Sequence, residues 1–291
     1  VEAGRVYAHF GSHGTTCLDT ATGKKVWERR DLKCNNFRGP ASSPVVYRDW
    51  LFLHFDGFDR QYTACLNKHT GATVWEKDRD FVYKPDNGDY KKAFATPAVL
   101  AVNGQPQVVS SAAMGTIAYD PATGKELWRI VTGGMNEACR PILAHGLVYL
   151  TTGHTGGLWA VKAGKTGTLT DADVAWKMAK GAPTRPSPIV LGDLLFAVND
   201  TGAAFCLDAK TGKERWRETL PNEKYSASPV AAAGHLYFPG ELGKTYVVAA
   251  AKEFELKETN KLDDGCRASP AVVGDAIYLR TLTHVYCIGT K

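Results

Sequence analysis

Apolar residues in this chain fall in short runs, each cut off by a polar or glycine break within a few positions. No segment sustains the 3.6-residue spacing of an amphipathic helix. Many runs open on proline, at Pro44, Pro97, Pro141, Pro188, Pro229 and Pro270, as in Pro188-Ile189-Val190-Leu191. A short break follows, such as Asn103-Gly104 or Gly192-Asp193, and then an aromatic-rich stretch such as Trp50-Leu51-Phe52-Leu53 or Leu147-Val148-Tyr149-Leu150. Bounded runs of this length predict strands, and proline at the first position of a strand removes no ladder bond.

A second landmark follows each of the first. The stretch Asp19-Thr20-Ala21-Thr22-Gly23-Lys24-Lys25-Val26-Trp27 recurs, with small changes, as 67–75, 120–128 and 208–216. A worn copy ends at Trp176 after a turn lengthened through Lys165 to Asp173, and another near 251–256 has lost both Gly and Trp. Asp or Asn before a turn can bond backbone N–H groups just beyond it, and glycine accepts positive φ at little steric cost. The phrase therefore predicts a hairpin that carries a Trp on its outgoing strand.

Proline run, aromatic strand, incoming hairpin strand and Trp strand make a unit of four antiparallel strands, A to D. Successive prolines stand 53, 44, 47, 41 and 41 residues apart. A sheet unit repeating at this period is the signature of a β-propeller blade. The prediction is an all-β chain, a single β-propeller domain over 1–291. Its seven blades lie near 1–30, 41–78, 94–131, 138–178, 185–218, 226–258 and 267–291. The first lacks an A strand and the last a D strand, giving 26 strands and the expectation that an upstream segment is missing.

Composition narrows the function classes. The 291 residues are 44% hydrophobic and 10% aromatic, enough for a large core. Lys and Arg number 35 against 30 Asp and Glu, and the cations are scattered rather than gathered in a stripe, so nucleic acid is not an expected partner. No run of 18 apolar residues exists to span a bilayer as a helix.

Candidate chemistry is sparse. Seven cysteines include no C-x-x-C pair. Cys17, Cys65, Cys206 and Cys287 share one strand-C register and read as small packing residues, while Cys34, Cys139 and Cys266 lie between blades. His9, His13, His54 and His154 sit in or beside B–C loops, with no H-E-x-x-H pattern, and read as solvated loop residues. The run Asp56-Gly57-Phe58-Asp59 suggests Ca²⁺, but a polar B–C turn explains it as well and the EF-hand spacing is absent. No G-x-S-x-G is present, and Ser43, Ser187, Ser228 and Ser269 each precede a strand-A proline, where a hydroxyl would bond backbone. No residue is assigned a catalytic, cofactor-binding or metal-binding role on these grounds. One constellation stands out in the segments that join blade to blade: Arg38, Asn136, Glu137, Arg140, Arg185, Tyr225 and Arg267. In a propeller these segments and the B–C loops share one end, so the residues are expected to form a polar, partly cationic loop face.

The phrase Ala118-Tyr119-Asp120-Pro121-Ala122-Thr123-Gly124-Lys125-Glu126-Leu127-Trp128 fits A-x-D-x-x-T-G-K-x-x-W, and with it the chain resembles the PQQ-like β-propeller repeat proteins. It is similar to their bacterial, planctomycete-type members and to the BamB outer-membrane assembly lipoprotein family. That resemblance covers essentially the whole chain. It implies a Trp-docking role for the phrase, a parent ring of eight blades and a periplasmic or secreted location. It further implies a non-catalytic binding or scaffolding role toward protein or polysaccharide partners at the loop face. The enzymes of the same fold hold PQQ between a Trp and a disulfide of adjacent cysteines, beside Ca²⁺. No two cysteines here are adjacent and no C-x-x-C-H haem signature occurs, so a quinoprotein oxidoreductase with degenerate ligands is the alternative, with PQQ and Ca²⁺ its cofactors. No cofactor is predicted otherwise.

Overall fold

The computed structural model describes residues 1–36, 39–84 and 86–289. Seven sheets follow one another along the chain, six of them meanders whose strands pair in chain order and the third a meander joined by one strand from later in the chain, with three short 3-10 turns and no α-helix among the described residues. The first sheet has strands B, C and D (Arg5–His9, Thr15–Asp19, Lys25–Arg29), the last has A, B and C (Ala271–Val273, Ala276–Arg280, Val285–Gly289), and the five between have all four. The 26 expected strands are present. This is a β-propeller of seven four-stranded blades, the first and last each short by one strand.

The chain divides into two compact units, residues 1–155 with 161–174, and residues 156–160 with 175–291. In the first, the turn chemistry read from the sequence is realised repeatedly. Asp19 Oδ1 accepts from the amides of Ala21 and Thr22 at 3.1 and 2.9 Å and from the Thr22 hydroxyl at 2.8 Å. Asn67 and Asp120 do the same for the residues two and three beyond them. The glycine that ends the turn has φ of +69° at Gly23, +75° at Gly71 and +66° at Gly124, the left-handed region where a side chain is strained. Each of these hairpins carries a bulge at the same step, Cys17/Leu18, Cys65/Leu66 and Ala118/Tyr119.

The Trp of each D strand reaches forward to the next blade. Trp27 Nε1 donates to the Lys68 carbonyl at 2.8 Å, and its ring lies where a Cβ on Gly71 would sit, 2.7 Å away. Trp75 repeats this with the Pro121 carbonyl at 2.9 Å and with Gly124. Glycine is thus required twice over, by its φ and by the ring above it. Trp128 departs from the pattern. The lengthened turn expected over 165–173 contains a further strand, Gly167–Leu169, which pairs in parallel with Glu126–Val131. With that strand beside it, Trp128 donates instead to Gln107 Oε1 within its own blade, at 2.8 Å.

The second unit follows the same rules. Asp208 caps its turn onto Thr211, Trp176 donates to Ala209 with its ring against Gly212, and Trp216 donates to Ala251 at 3.2 Å. Between its blades, Phe196, Cys206 and Trp216 of one sheet pack on Leu236, Phe238 and Val248 of the next. Each such side chain contributes about 1.5–3 kcal/mol when fully buried. Inner strands of a blade are covered on both faces, which is why they read as continuous apolar runs rather than alternating ones. Leu194–Val198 is buried throughout.

Candidate functional site

Strand-A prolines leave the preceding residue as the last amide donor before the run, and a hydroxyl from the next blade accepts from it. Ser187 N donates to Ser228 Oγ and Ser228 N to Ser269 Oγ, both at 2.9 Å, and in the first unit Ser43 N donates to Thr96 Oγ1 at 3.0 Å. The serines before proline are therefore structural stitches, as their position suggested. Arg140 stands where this hydroxyl would be in the fourth blade.

In the second unit the B–C loops and the segments between blades meet at one end of the sheets, where an ionic chain forms. Arg185 Nε donates to Asp200 Oδ1 at 2.6 Å, and its Nη1 to Ser226 Oγ at 2.9 Å and to Glu241 Oε1 at 3.5 Å. Ser226 Oγ also donates to Glu241 Oε1, and Arg267 Nε approaches the other carboxylate oxygen at 3.5 Å. Burial would raise the Asp200 carboxyl, but the Thr184 hydroxyl and amide and the Arg185 guanidinium outweigh it and hold that carboxyl below its ordinary range. The carboxylates are the anchored partners, at 16% and 12% side-chain exposure, while Arg185 and Arg267 stand 52% and 73% exposed. The Glu241 loop is itself fixed by Glu223, which accepts from Leu242 N and Lys244 N at 2.7 and 2.9 Å.

In the first unit, Asn136 has φ of +55°, and its Nδ2 lies 3.2 Å from His154 Nδ1. Glu137 turns inward, accepting from the Thr151 hydroxyl and from Cys139 N. Burial pushes its carboxyl up to about 7, against those bonds and the amides of Gly153 and Ala138.

Of the seven residues expected at the loop face, Asn136 and the exposed Arg140 lie in the first unit, and Arg185 and Arg267 in the second. Glu137 and Tyr225 are interior, 2% and 0% exposed, so neither offers a side chain to a surface ligand. Arg38 lies outside the described residues.

The sequence reading missed a buried network in the first unit. Arg79 is bidentate to Asp56, Nε to Oδ1 at 2.6 Å and Nη2 to Oδ2 at 3.1 Å, with both side chains 0–1% exposed. Arg79 Nη1 donates to Ser110 Oγ at 2.6 Å, Ser110 Oγ meets His54 Nε2 at 2.7 Å, and His54 Nδ1 meets the Ala95 carbonyl at 2.9 Å. That carbonyl accepts only, so Nδ1 carries the proton and Nε2 accepts from the serine. Burial and the nearby Arg79 hold the His54 imidazole well below its ordinary pKa, and it is neutral. Burial pushes the Asp56 carboxyl above its ordinary range, with the charge and bonds of the Arg79 guanidinium pulling the other way. The expectation that His54 is a solvated loop residue and that Asp56 belongs to a polar turn is corrected: both end the seven-residue strand Trp50–Asp56, which is buried on both faces. A Ser–His pair at hydrogen-bond distance has a nucleophile's geometry, but Ser110 is 0% exposed, and the network serves to hold adjoining strands together.

Cys17, Cys65 and Cys206 are fully buried as expected, and burial pushes the Cys65 and Cys206 thiols up to about 12. Cys287, in the same register, is exposed. Among the described residues no three His, Cys, Asp or Glu side chains gather as a cation site.

Repeating four-stranded blades, each with its last two strands joined by an Asp/Asn-to-Gly turn where the phrase survives, define a propeller of PQQ-like repeats. Residues 59–290 match the family described as outer membrane protein assembly factor BamB, and the chain belongs to that family. It is 24% identical to outer membrane protein assembly factor BamB of Shewanella oneidensis over 94% of this chain and 69% of the relative. It is also 28% identical to tetrathionate hydrolase of Acidithiobacillus ferrooxidans, over 76% of this chain but only 44% of that protein, so it spans less than half of this relative's length. The crystal structure of BamB from Moraxella catarrhalis superposes with a TM-score of 0.72 at 15% identity, covering 95% of this chain and 78% of that one. Quinohemoprotein alcohol dehydrogenase from Comamonas testosteroni shares the fold at 0.63 and 14% identity, over 95% and 61%. No helix among the described residues is long and apolar enough to cross a membrane.

Proposed function

We propose that this chain is a binding or scaffolding propeller that works outside the cytoplasm by engaging protein partners at its loop end. The observation that carries the reading is the asymmetry of the ionic chain in the second unit. Its carboxylates are largely covered and anchored, at 16% and 12% side-chain exposure, whereas its arginines are exposed: Arg185 is tied to Asp200 at 2.6 Å, and Arg267 is held only by its 3.5 Å approach to Glu241. Exposed pairs of this kind hold each other by only about 0.2–1 kcal/mol, so a partner's acidic groups can compete for the guanidinium faces at small cost. Exposed arginine is also the cation that protein interfaces favour. Membership of the family described as an assembly factor supports a protein partner over a polysaccharide one.

The test is affinity capture with cross-linking from the native envelope, comparing wild type with the Arg140→Ala, Arg185→Ala, Arg267→Ala variant. A defined protein cross-linked to loop-end peptides of the wild type and depleted by the variant is expected. Equal recovery on both would overturn the loop-end reading, as would retention by polysaccharide alone. A bound quinone absorption band after addition of PQQ and Ca²⁺ would replace it with a redox function.

A further inference from the structure

Within the second unit, the packing between the sixth and seventh blades differs from that between the fifth and sixth. In the fifth blade, Trp216 stands opposite Cys206 on the outer strand, 7% exposed, and fills the space up to the following turn. In the sixth, the residue in that register, opposite Val247, is Glu258, which is exposed. The facing side chain is also smaller, since Leu279 of the seventh blade occupies the strand position held by Phe238 in the sixth. Neither change is compensated, and a cavity of about 310 Å³ remains between the two sheets.

Its walls are apolar on both sides, Tyr237 and Pro239 from the sixth blade and Ile277, Leu279 and Ile288 from the seventh. Polar residues line it from one side only: Thr245, Asn260 and Lys261. Lys261 is exposed and makes no ion pair among the described residues. A closed apolar void would simply be packing loss, but an apolar slot with a cation and two neutral polar groups on one side is the common form of a small-ligand site. At the ~30 Å³ that a water molecule occupies in the liquid, the space holds roughly ten non-hydrogen atoms.

We propose that this interblade cavity binds a medium-chain carboxylate, its alkyl tail between the sheets and its carboxylate at Lys261. Octanoate has the matching size and is the probe. Isothermal titration of the full chain with octanoate is expected to give saturable one-site binding, and octanol, lacking the charge, to bind about tenfold more weakly. Leu279→Phe restores the bulk that the sixth blade carries at this register, so the blade folds as before and octanoate binding is lost. Lys261→Ala weakens octanoate about tenfold and leaves octanol unchanged. Thermal melts of both variants verify folding, and Leu279→Met, which keeps the volume, retains binding. The proposal falls if octanoate shows no saturable binding at about 1 mM, an affinity near 4 kcal/mol. Binding by Leu279→Phe equal to wild type, or octanol and octanoate affected alike by Lys261→Ala, overturns it equally.

Discussion

Gly71 and Gly23 hold the same place in the same turn phrase, and their comparison isolates what one blade contributes to the next. Both have positive φ, +75° and +69°, and both turns are capped by the side chain four residues earlier. They differ in what lies above them. A Cβ on Gly23 meets nothing within 4 Å, whereas one on Gly71 would sit 2.7 Å from the Trp27 ring. Gly23→Ala therefore carries only the left-handed backbone cost, about 1–2 kcal/mol. Gly71→Ala adds the overpacking cost of moving a buried indole that is also pinned by its hydrogen bond to Lys68, about 1–3 kcal/mol more. Urea unfolding followed by Trp fluorescence and by circular dichroism measures both. A double-mutant cycle completes the test, because in a Trp27→Ala background the obstacle is gone and Gly71→Ala should cost no more than Gly23→Ala. Equal destabilisation by the two glycine substitutions in the wild-type background, within about 0.5 kcal/mol, would refute the idea that the indole sets the requirement for glycine.

Two further predictions concern buried charge. Glu137 has a folded pKa raised from 4.5 to about 7, so the native state binds its proton more tightly than the unfolded chain. Stability from this group is full below about pH 4.5 and is lost as pH rises toward 7, by roughly 3 kcal/mol. Urea midpoints of Glu137→Gln across that window should lack this component of the slope, and an unchanged slope would exclude the group as its source. Asp56→Asn leaves Arg79 buried without its counter-charge and should cost about 3–5 kcal/mol, while the pair Asp56→Leu with Arg79→Met recovers most of it. Thermal denaturation of the two variants separates these outcomes, and a double variant no more stable than Asp56→Asn would contradict the account.

Much of the fold was legible because the information lies within single short segments. An Asp, the Thr and Gly after it and a proline before a strand fix turns and strand starts through neighbours a few residues away. Repetition of that local chemistry revealed the blade, its period and even the incomplete sheets at either end. The strand Gly167–Leu169 was not legible, since it exists only through pairing with a strand roughly forty residues earlier. The depth of the loop-face candidates was not legible, since the burial of Glu137 and Tyr225 depends on what other segments lay over them.

The sequence by itself determined the strands, the hairpins and the propeller class, because each rests on backbone preferences that neighbouring residues set. Tertiary structure alone decided that Asp56 meets Arg79, that Ser110 meets His54, 56 residues away, that Glu137 and Tyr225 point inward, and that a cavity opens between Tyr237 and Leu279. Each of these depends on what an adjoining strand or blade presents to the group, and burial, pairing and empty volume are properties of that juxtaposition.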